Sequence, residues 1–370
     1  RFRSGVSRIL RRSFLAVVVI VIVLGAVNLF AGFYLATASS TQDRDLPAGG
    51  VIVSLTSCCH RLTRELPLAL RSLLDQTVPP REIRVYIPIQ DRESFEIERK
   101  KLFRSEDSNN DLIKWIYVPD RGPGTKFLYV IEDHLIAMRQ IYSEDTARQL
   151  ILVCDDDHWY HPTLIENFLR YHALNPDAAL GFRGWRVRED LTWGVTGEER
   201  KWHVIFGVDI DEIYRAGVIT ANYGYLIQPR FFYNNNNNDN DCNNNILNLT
   251  AGPPAAFWMD DIWMNGHLAM SGVPRYILPA DGMTFEMKKG YSLLDERKKK
   301  DASETQRTTE RWQDNNLVLQ HFGKWWEPYL WYQPGGINAP RYKSMAHYTF
   351  LWACIFPSWL QAQWMLGELF

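Results

Sequence analysis

Three consecutive aspartates, Asp155, Asp156 and Asp157, follow the apolar run 150–154 and are the strongest chemical signal in the sequence. Three like charges repel one another unless something cationic lies among them. Carboxylate oxygens suit Mg²⁺ and Mn²⁺, and a metal held by a few carboxylates shares its remaining coordination with substrate phosphates. The triplet therefore predicts a Mn²⁺ or Mg²⁺ site that handles a phosphate-bearing substrate.

Two other interpretations of the triplet are open. Asp155, Asp157 and Glu166 occupy positions 1, 3 and 12 of a calcium loop. Trp159 and Tyr160, however, stand where such a loop has an oxygen ligand and its turn glycine. The remaining alternative is a solvated acidic turn, because charge clusters are usually surface features.

A second acid pair, Asp260 and Asp261, lies among large apolar residues in 257–268. Adjacent carboxylates are costly to bury unless they work or are paired. They also suit the first turn of a helix, where they complement the helix dipole. Asp260 fits that structural role better than Asp261.

The segment 120–126 (DRGPGTK) offers a possible anion site. A glycine-rich turn before a helix presents backbone N–H groups, and Lys126 adds a point charge suited to phosphate. The pattern lacks the Gly-x-x-x-x-Gly-Lys-Ser/Thr order of a Walker loop, so it does not indicate an ATPase. Gly-Pro-Gly is also an ordinary turn signal, so a purely structural role is open.

Short β-branched runs alternate with helical stretches around these residues. The predicted strands are 51–55, 83–88, 113–119 and 150–154, and the predicted helices include 62–74 and 127–138. This alternation predicts an α/β fold with a mostly parallel sheet covered by helices. Ligands bind at the carboxyl ends of such strands, which directs attention to the loops after Leu55, Pro119 and Cys154.

In these segments the chain resembles the GT-A glycosyltransferases, and family-2-like members in particular. The resemblance covers roughly 51–335 and includes the opening VIVSLT followed by Arg61, the stretch 72–83 (SLLDQTVPPREI) and the Asp-x-Asp pair, Asp155 and Asp157. It implies a Rossmann-like GT-A domain. It also implies that Asp157 is a direct ligand of the metal on the donor diphosphate, with Asp155 nearer the ribose and also a metal ligand.

The same resemblance implies that Thr56, Arg61 and Asp155 border the nucleotide of the donor, a nucleotide-diphosphate sugar. Lys126, which lies between these donor-side motifs, and Asp156, within the triplet, are predicted to bind the nucleotide as well. The acceptor would be a glycan, glycoprotein or glycolipid.

For catalysis, the resemblance implies that Asp260 and Asp261 open a helix under the acceptor. In inverting members of the family the second acid, here Asp261, is the catalytic base. His321, in His-x-Gly, resembles an extra metal ligand of some members, although the residues after it depart from that pattern. A lone histidine is as readily an ordinary satisfied one.

Composition excludes several other classes. Lys and Arg total 41 against 43 Asp and Glu, which argues against a nucleic-acid partner. The chain is 46% hydrophobic with 14 Trp, enough for a large core. Five cysteines, two of them adjacent, define no disulfide framework.

The amino-terminal segment predicts membrane anchoring. Residues 13–36 are uncharged, and the apolar run 14–36 would extend roughly 34 Å as a helix. That spans a bilayer core of about 30 Å. Five arginines in the tail 1–12 place it in the cytosol. We expect a single-pass type II protein of the Golgi or another secretory-pathway membrane, with a stem at 37–50 and a luminal catalytic domain; a signal peptide cleaved near Ala36-Thr37-Ala38 is the alternative.

Three further segments receive coarser predictions. The Asn-rich insert 234–245 predicts a disordered surface loop. Asn248 begins a glycosylation sequon, Asn-Leu-Thr. The aromatic-rich segment 336–370 follows the domain, and within it 348–370 predicts core or interfacial packing or a second membrane span.

Together these features favour a membrane-anchored, metal-dependent glycosyltransferase. The alternatives are a metal-dependent phosphoesterase or phosphotransferase, and a non-catalytic, membrane-tethered carbohydrate-binding protein. A phosphoesterase usually has more His and carboxylate ligands than the triplet supplies. Carbohydrate binding without turnover is compatible with the many aromatic residues.

Overall fold

The computed structural model describes residues 50–102, 110–193, 204–233, 245–280, 282, 284–286, 311–326, 331–332 and 340–343. These residues belong to one unit, Ala48–Tyr348. Within them, no helix has the length and apolar character needed to cross a bilayer. The predicted anchor 13–36, the tail before it, the stem up to residue 49, the insert 234–244 and the segment 348–370 lie outside the described residues.

Fifteen strands and eight α-helices are described. The strands are β1 (Val51–Thr56), β2 (Glu82–Pro88), β3 (Ile113–Val118), β4 (Leu150–Val153), β5 (His158–Trp159), β6 (Ala179–Gly181), β7 (Arg183–Trp185), β8 (Val187–Arg188), β9 (Val204–Phe206), β10 (Tyr214–Arg215), β11 (Val218–Ile219), β12 (Tyr225–Ile227), β13 (Arg275–Ile277), β14 (Phe285–Glu286) and β15 (Trp331–Tyr332). The helices are α1 (Cys59–Leu62), α2 (Glu65–Leu74), α3 (Arg92–Leu102), α4 (Thr125–Gln140), α5 (Glu144–Ala147), α6 (Leu164–Leu174), α7 (Asp260–Met270) and α8 (Arg311–His321).

Eight of the strands form a central sheet in the order β3-β2-β1-β4-β12-β6-β13-β10. The first four are mutually parallel, and β12 and β10 run against the other six. The predicted α/β fold with a mostly parallel, Rossmann-like sheet is therefore confirmed. The four predicted strands are confirmed to within one residue at each end.

The predicted helix 62–74 is wrong in its start: α2 begins at Glu65, and Leu62 is the last residue of the separate short helix α1. Arg64, at φ −132° and ψ −85°, lies outside the helical region between them. Pro67 explains the break: it has no N–H to donate to the carbonyl of Thr63, so one continuous helix could not pass this point with its ladder intact. The predicted helix 127–138 is confirmed as the longer α4.

Apolar side chains cover both faces of the sheet, which is why its strands read as nearly continuous hydrophobic runs. Alternate residues of β1 point to opposite sides: Val53 and Leu55 belong to one core cluster and Ile52 to the other. Helices α2 and α6 contribute to the first cluster, and α4 and α7 to the second. The sheet is thus a rigid layer that fixes where its loops begin.

The order in which successive strands are added to the sheet changes direction between β1 and β4. Strands β2 and β3 lie on one side of β1, and β4 lies on the other. Ser54 of β1 is paired with Val153 of β4, so the loops after these two strands start side by side. Such a reversal opens a crevice at the carboxyl ends of the strands, and that crevice is where ligands bind in open α/β sheets.

Candidate active site

Asp156 is the inward-facing member of the triplet, and its hydrogen bonds connect the segment after β4 to the segment after β1. It is 2% exposed. Ser57 Oγ donates to one carboxylate oxygen at 2.5 Å, and Arg61 Nη1 donates to the other at 2.5 Å. Burial raises the pKa of Asp156 to about 6, with Asp157 and Asp155 adding to the effect and Arg61 and Ser57 opposing it.

Asp157 is more exposed and accepts from Arg61 and His158. Its side chain is 26% exposed, Arg61 Nη1 lies 2.9 Å from Oδ2, and His158 Nδ1 lies 2.7 Å from Oδ1. Burial would raise the pKa of this carboxyl, but the bonds from His158 and Arg61 outweigh it and hold the pKa below its usual range. Asp157 therefore stays ionised, as a metal ligand must.

Asp155 faces the opposite side of the crevice. Lys126 Nζ contacts Asp155 Oδ1 at 2.8 Å. The backbone of Asp155 is fixed by the hydroxyl of Tyr160, which accepts from Asp155 N at 2.8 Å and donates to Asp155 O at 2.9 Å. One buried hydroxyl thus sets the direction in which the triplet leaves β4.

Lys126 links the triplet to the acid pair at the start of α7. Its Nζ lies 2.6 Å from Asp260 Oδ2, and the residue is 5% exposed. Burial alone would lower the pKa of Lys126, but Asp155, Asp260 and Asp261 raise it well above its usual value. The cationic groups that the triplet requires are therefore Arg61 on one side and Lys126 on the other.

Asp261 has a different environment from its neighbour. The N–H of Ala221 donates to Asp261 Oδ1 at 3.3 Å, and Asn265 Nδ2 donates to the backbone carbonyl of Asp261 at 2.7 Å. Burial raises the pKa of Asp261 to about 7, with Asp260 adding and Lys126 opposing. A carboxylate with a pKa near neutrality is suited to general-base catalysis.

Three side chains converge in a way that fits a divalent metal. Ligand atoms of Asp155, Asp157 and His158 lie within 4.8 Å of one another. His158 is buried, and its Nε2 has no hydrogen-bond partner among the described residues. With Asp156, Asp260 and Asp261 nearby, carboxylates outnumber the contacting cations, so a divalent cation would reduce the local charge excess.

The structure places the other predicted residues as follows. Thr56 Oγ1 donates to the carbonyl of Tyr86 at 2.9 Å, inside the sheet. His321 ends α8, is exposed, and stacks on Trp263 with ring centroids 5.8 Å apart; it is not one of the three residues that converge. Asn248 accepts a hydrogen bond from Thr250 Oγ1 at 2.7 Å at the surface.

The Gly-Pro-Gly turn packs against the segment that leads into α7. Gly122 has φ +69°, and a Cβ at this position would lie 2.4 Å from the carbonyl oxygen of Phe257. Glycine is thus required both by the backbone conformation and by the close approach. The turn brings the start of α4, with Lys126, against the start of α7.

Comparisons with known proteins add little. No protein-family model matches the chain, and no curated protein matches it. Among solved structures, the chain is similar to the crystal structure of S. aureus TarS 1-349 in complex with UDP, at 13% identity and a TM-score of 0.35 over 74% of this chain and 70% of that one. It is also similar to the 4-diphosphocytidyl-2C-methyl-D-erythritolsynthase from Anaerococcus prevotii DSM 20548, at 12% identity and a TM-score of 0.29 over 52% and 75%. Both TM-scores are low, so the functional proposal rests on the chain's own residues.

Sequence reasoning missed three residues of this site: Ser57, His158 and Tyr160. His158 follows the triplet directly, and its residue type alone could have nominated it as a ligand. Ser57 lies in the loop after β1, one of the loops in which the sequence predicts ligand binding. Nothing in the sequence indicates that the hydroxyl of Tyr160 turns back to the backbone of Asp155.

Proposed function

We propose that this protein is a metal-dependent glycosyltransferase that moves a sugar from a nucleotide-diphosphate sugar to an acceptor hydroxyl. One observation carries the proposal. The converging ligand atoms of Asp155, Asp157 and His158 lie at the β1/β4 crevice, and Lys126 links them to a helix whose Asp261 has a pKa of about 7. These residues would put a site for the donor diphosphate beside a proton acceptor.

Asp155, Asp157 and His158 would hold the metal. Their two carboxylates suit Mn²⁺ or Mg²⁺, and the imidazole nitrogen favours Mn²⁺ over Mg²⁺. A bound divalent ion supplies charge stabilisation for the nucleoside diphosphate as it departs. Arg61, in α1, and Thr56, the last residue of β1, would border the nucleotide side of the crevice.

Asp261 is the proposed base. It accepts the proton of the acceptor hydroxyl as that oxygen forms a bond to the anomeric carbon. The bond from the anomeric carbon to the diphosphate oxygen breaks, and the electron pair leaves with the diphosphate. Displacement of this kind inverts the anomeric configuration.

The proposed location follows from the sequence. The apolar run 14–36 and the arginines before it support a signal-anchor, which would put the catalytic domain in the lumen of the secretory pathway. The acceptor would then be a glycan, glycoprotein or glycolipid.

The test is a screen of the full chain against nucleotide-diphosphate sugars with Mn²⁺, reading release of the nucleoside diphosphate. We expect release with one donor class, loss of release with EDTA, and loss in the Asp157→Asn variant. Phosphate release from a generic ester without donor turnover would support a phosphoesterase instead. Sugar binding without any turnover would support a carbohydrate-binding protein.

A further inference from the structure

The ammonium group of Lys126 touches both acidic motifs. Its Nζ lies 2.8 Å from Asp155 Oδ1 and 2.6 Å from Asp260 Oδ2. The two aspartates are separated by more than a hundred residues of sequence and belong to different elements, the loop after β4 and the first turn of α7. Lys126 thus bridges two parts of the site.

The surrounding backbone holds this lysine in place. Ser54 Oγ of β1 donates to the backbone carbonyl of Lys126. On the other side, the turn before α4 packs through Gly122 against Phe257, three residues before Asp260. The backbone at Lys126 is therefore held by contacts to the sheet and to the segment before α7, and its Nζ is held by Asp155 and Asp260.

These contacts leave little room for Lys126 to act on a phosphate. The residue is 5% exposed, and its ammonium is within contact distance of two carboxylates. A phosphate would have to compete with both for the same donors.

Resting on the proposed function, we propose that Lys126 is a positioning residue that joins the metal site to the acid pair. It neutralises Asp260, so that the proton-accepting role falls to Asp261. It also places a fixed positive charge against Asp155, a ligand of the metal.

Two consequences follow from this geometry. Removing the charge of Lys126 would leave more negative charge beside the bound cation and would strengthen metal binding. It would also leave the carboxyl group of Asp260 without its cation, next to the proposed base. A residue that merely supports the fold would weaken metal binding when removed, so the two roles predict opposite signs.

The experiment measures Mn²⁺ binding to the full chain by titration calorimetry without donor, together with steady-state kinetics. We compare Lys126→Met with Lys126→Arg, which keeps the charge. The control is Arg84→Met, since Arg84 also bridges two carboxylates, Glu82 at 2.6 Å and Asp133 at 3.2 Å, away from both motifs.

We expect Lys126→Met to bind Mn²⁺ at least about tenfold more tightly. The Lys126 charge lies 2.8 Å from Asp155, a proposed metal ligand, and charges a few ångströms apart near a protein surface interact by several RT. We expect its kcat to fall about 100-fold with the KM for the donor nearly kept, the pattern of a base that is no longer correctly placed. Lys126→Arg should restore most of kcat, and Arg84→Met should change neither quantity.

Other results would overturn the inference. If Lys126→Met loses donor affinity while Mn²⁺ affinity stays at the parental value, Lys126 is a donor ligand and the proposed function survives. If the parent chain binds no Mn²⁺, the metal assignment fails first. In that case the double variant Lys126→Met/Asp260→Asn tests the bridge: it should melt higher than Lys126→Met alone, and independent effects on melting would contradict the bridge. If Lys126→Met does not fold, the double variant should recover a folded chain, and its failure to do so would contradict the bridge.

Discussion

Neighbouring carboxylates have different hydrogen-bond and ion-pair partners in the two acidic motifs of the site. In the triplet, Asp156 and Asp157 share one guanidinium, from Arg61, and each has a further donor, Ser57 or His158. In the pair on α7, Lys126 contacts Asp260, and Asp261 Oδ1 accepts only a long bond from a backbone N–H among the hydrogen bonds of the described residues.

The contrast shows that burial and charged donors decide the chemistry of an aspartate together. Burial acts to raise the pKa of both Asp157 and Asp261, yet the pKa of Asp157 is lowered and that of Asp261 is raised to about 7. The difference lies in the contacts: Asp157 accepts from the guanidinium of Arg61 and from His158, and hydrogen bonds to the ionised form favour it. The first motif is thus suited to binding a cation and the second to accepting a proton.

The largest expected effect is on metal binding, and it tests the first half of this comparison. We expect Asp157→Asn to lose Mn²⁺ affinity by more than about 100-fold, because even residues outside the direct ligand set of a metal typically contribute 10- to 100-fold. Titration calorimetry with Mn²⁺, and then with donor, measures this.

The fold should survive that change, since asparagine keeps the shape of the side chain. The control is Asp75→Asn, which removes an exposed carboxylate 3.6 Å from Arg71. Unchanged Mn²⁺ affinity in Asp157→Asn would remove the metal site from the triplet.

The next effect concerns stability and separates Asp156 from its neighbours. Asp156→Asn removes one of the two carboxylates that contact the buried guanidinium of Arg61 in the ion pairs given above. Asp157 is the other. We expect a loss of about 3 kcal/mol in the free energy of unfolding, the low end for breaking a buried pair, because Asp157 still lies 2.9 Å away. Urea denaturation followed by fluorescence measures it.

Glu144→Gln is the matched control, because Glu144 pairs with Arg148 at 2.8 Å on the surface. Its cost should stay within about 0.5 kcal/mol. Equal costs for the two variants would show that Asp156 does not anchor the crevice.

Much of this arrangement could be predicted from the sequence, and the limits have physical reasons. The four strands follow from short β-branched runs, and the carboxyl ends of parallel strands share one edge of a sheet, so the segments after Leu55 and Cys154 could be expected at the same edge. The strand order, and with it the reversal between β1 and β4, comes from the structure alone. Which of three consecutive aspartates turns inward depends on the turn after β4 and on the hydroxyl of Tyr160. No local pattern encodes that choice.

Lys126 illustrates a second limit. A lysine after a glycine-rich turn predicts a phosphate contact, and that interpretation assumes that the ammonium is accessible. The structure instead turns it toward Asp155 and Asp260, because the turn packs on the segment before α7. Contacts between residues so distant in sequence are set by tertiary packing, which a single sequence does not reveal.

A third prediction tests through catalysis whether the acid pair on α7 accepts a proton. We expect Asp261→Asn to lower kcat by about 100-fold, the order expected for loss of a general base, while Mn²⁺ and donor affinities stay near the parental values. Single-turnover transfer and donor titration measure the two quantities. The control is Asp133→Asn, an exposed carboxylate near Arg84.

Two outcomes would contradict that assignment. If Asp261→Asn loses donor binding as severely as Asp157→Asn, the residue belongs to the nucleotide site. If it transfers sugar at the parental rate, the acid pair is a helix N-terminus complementing the dipole of α7.

The smallest expected effect is on thermal stability, and its dependence on pH distinguishes a raised pKa from a merely buried carboxylate. The ordinary pKa of an aspartate is 3.8, and burial raises that of Asp261 to about 7 in the folded chain. As pH rises from 3.8 toward 7, the unfolded chain releases this proton and the folded chain retains it. The contribution of Asp261 to stability is therefore full below 3.8, falls across this window, and is constant above about 7.

Asp261→Asn carries no such proton, so its melting temperature relative to the parent should be higher at pH 8 than at pH 5. We expect this difference to change by about 2–4 °C, the shift for roughly 1 kcal/mol in a domain of moderate size. The full linkage would be larger, but the side chain retains some contact with water, which screens the interaction. Asp156 titrates in the parent and in the variant alike, so its contribution cancels in the difference between their melting temperatures. A difference that does not change with pH would mean that Asp261 ionises at an ordinary pKa, and the kinetic loss in Asp261→Asn would then reflect acceptor positioning and not proton transfer.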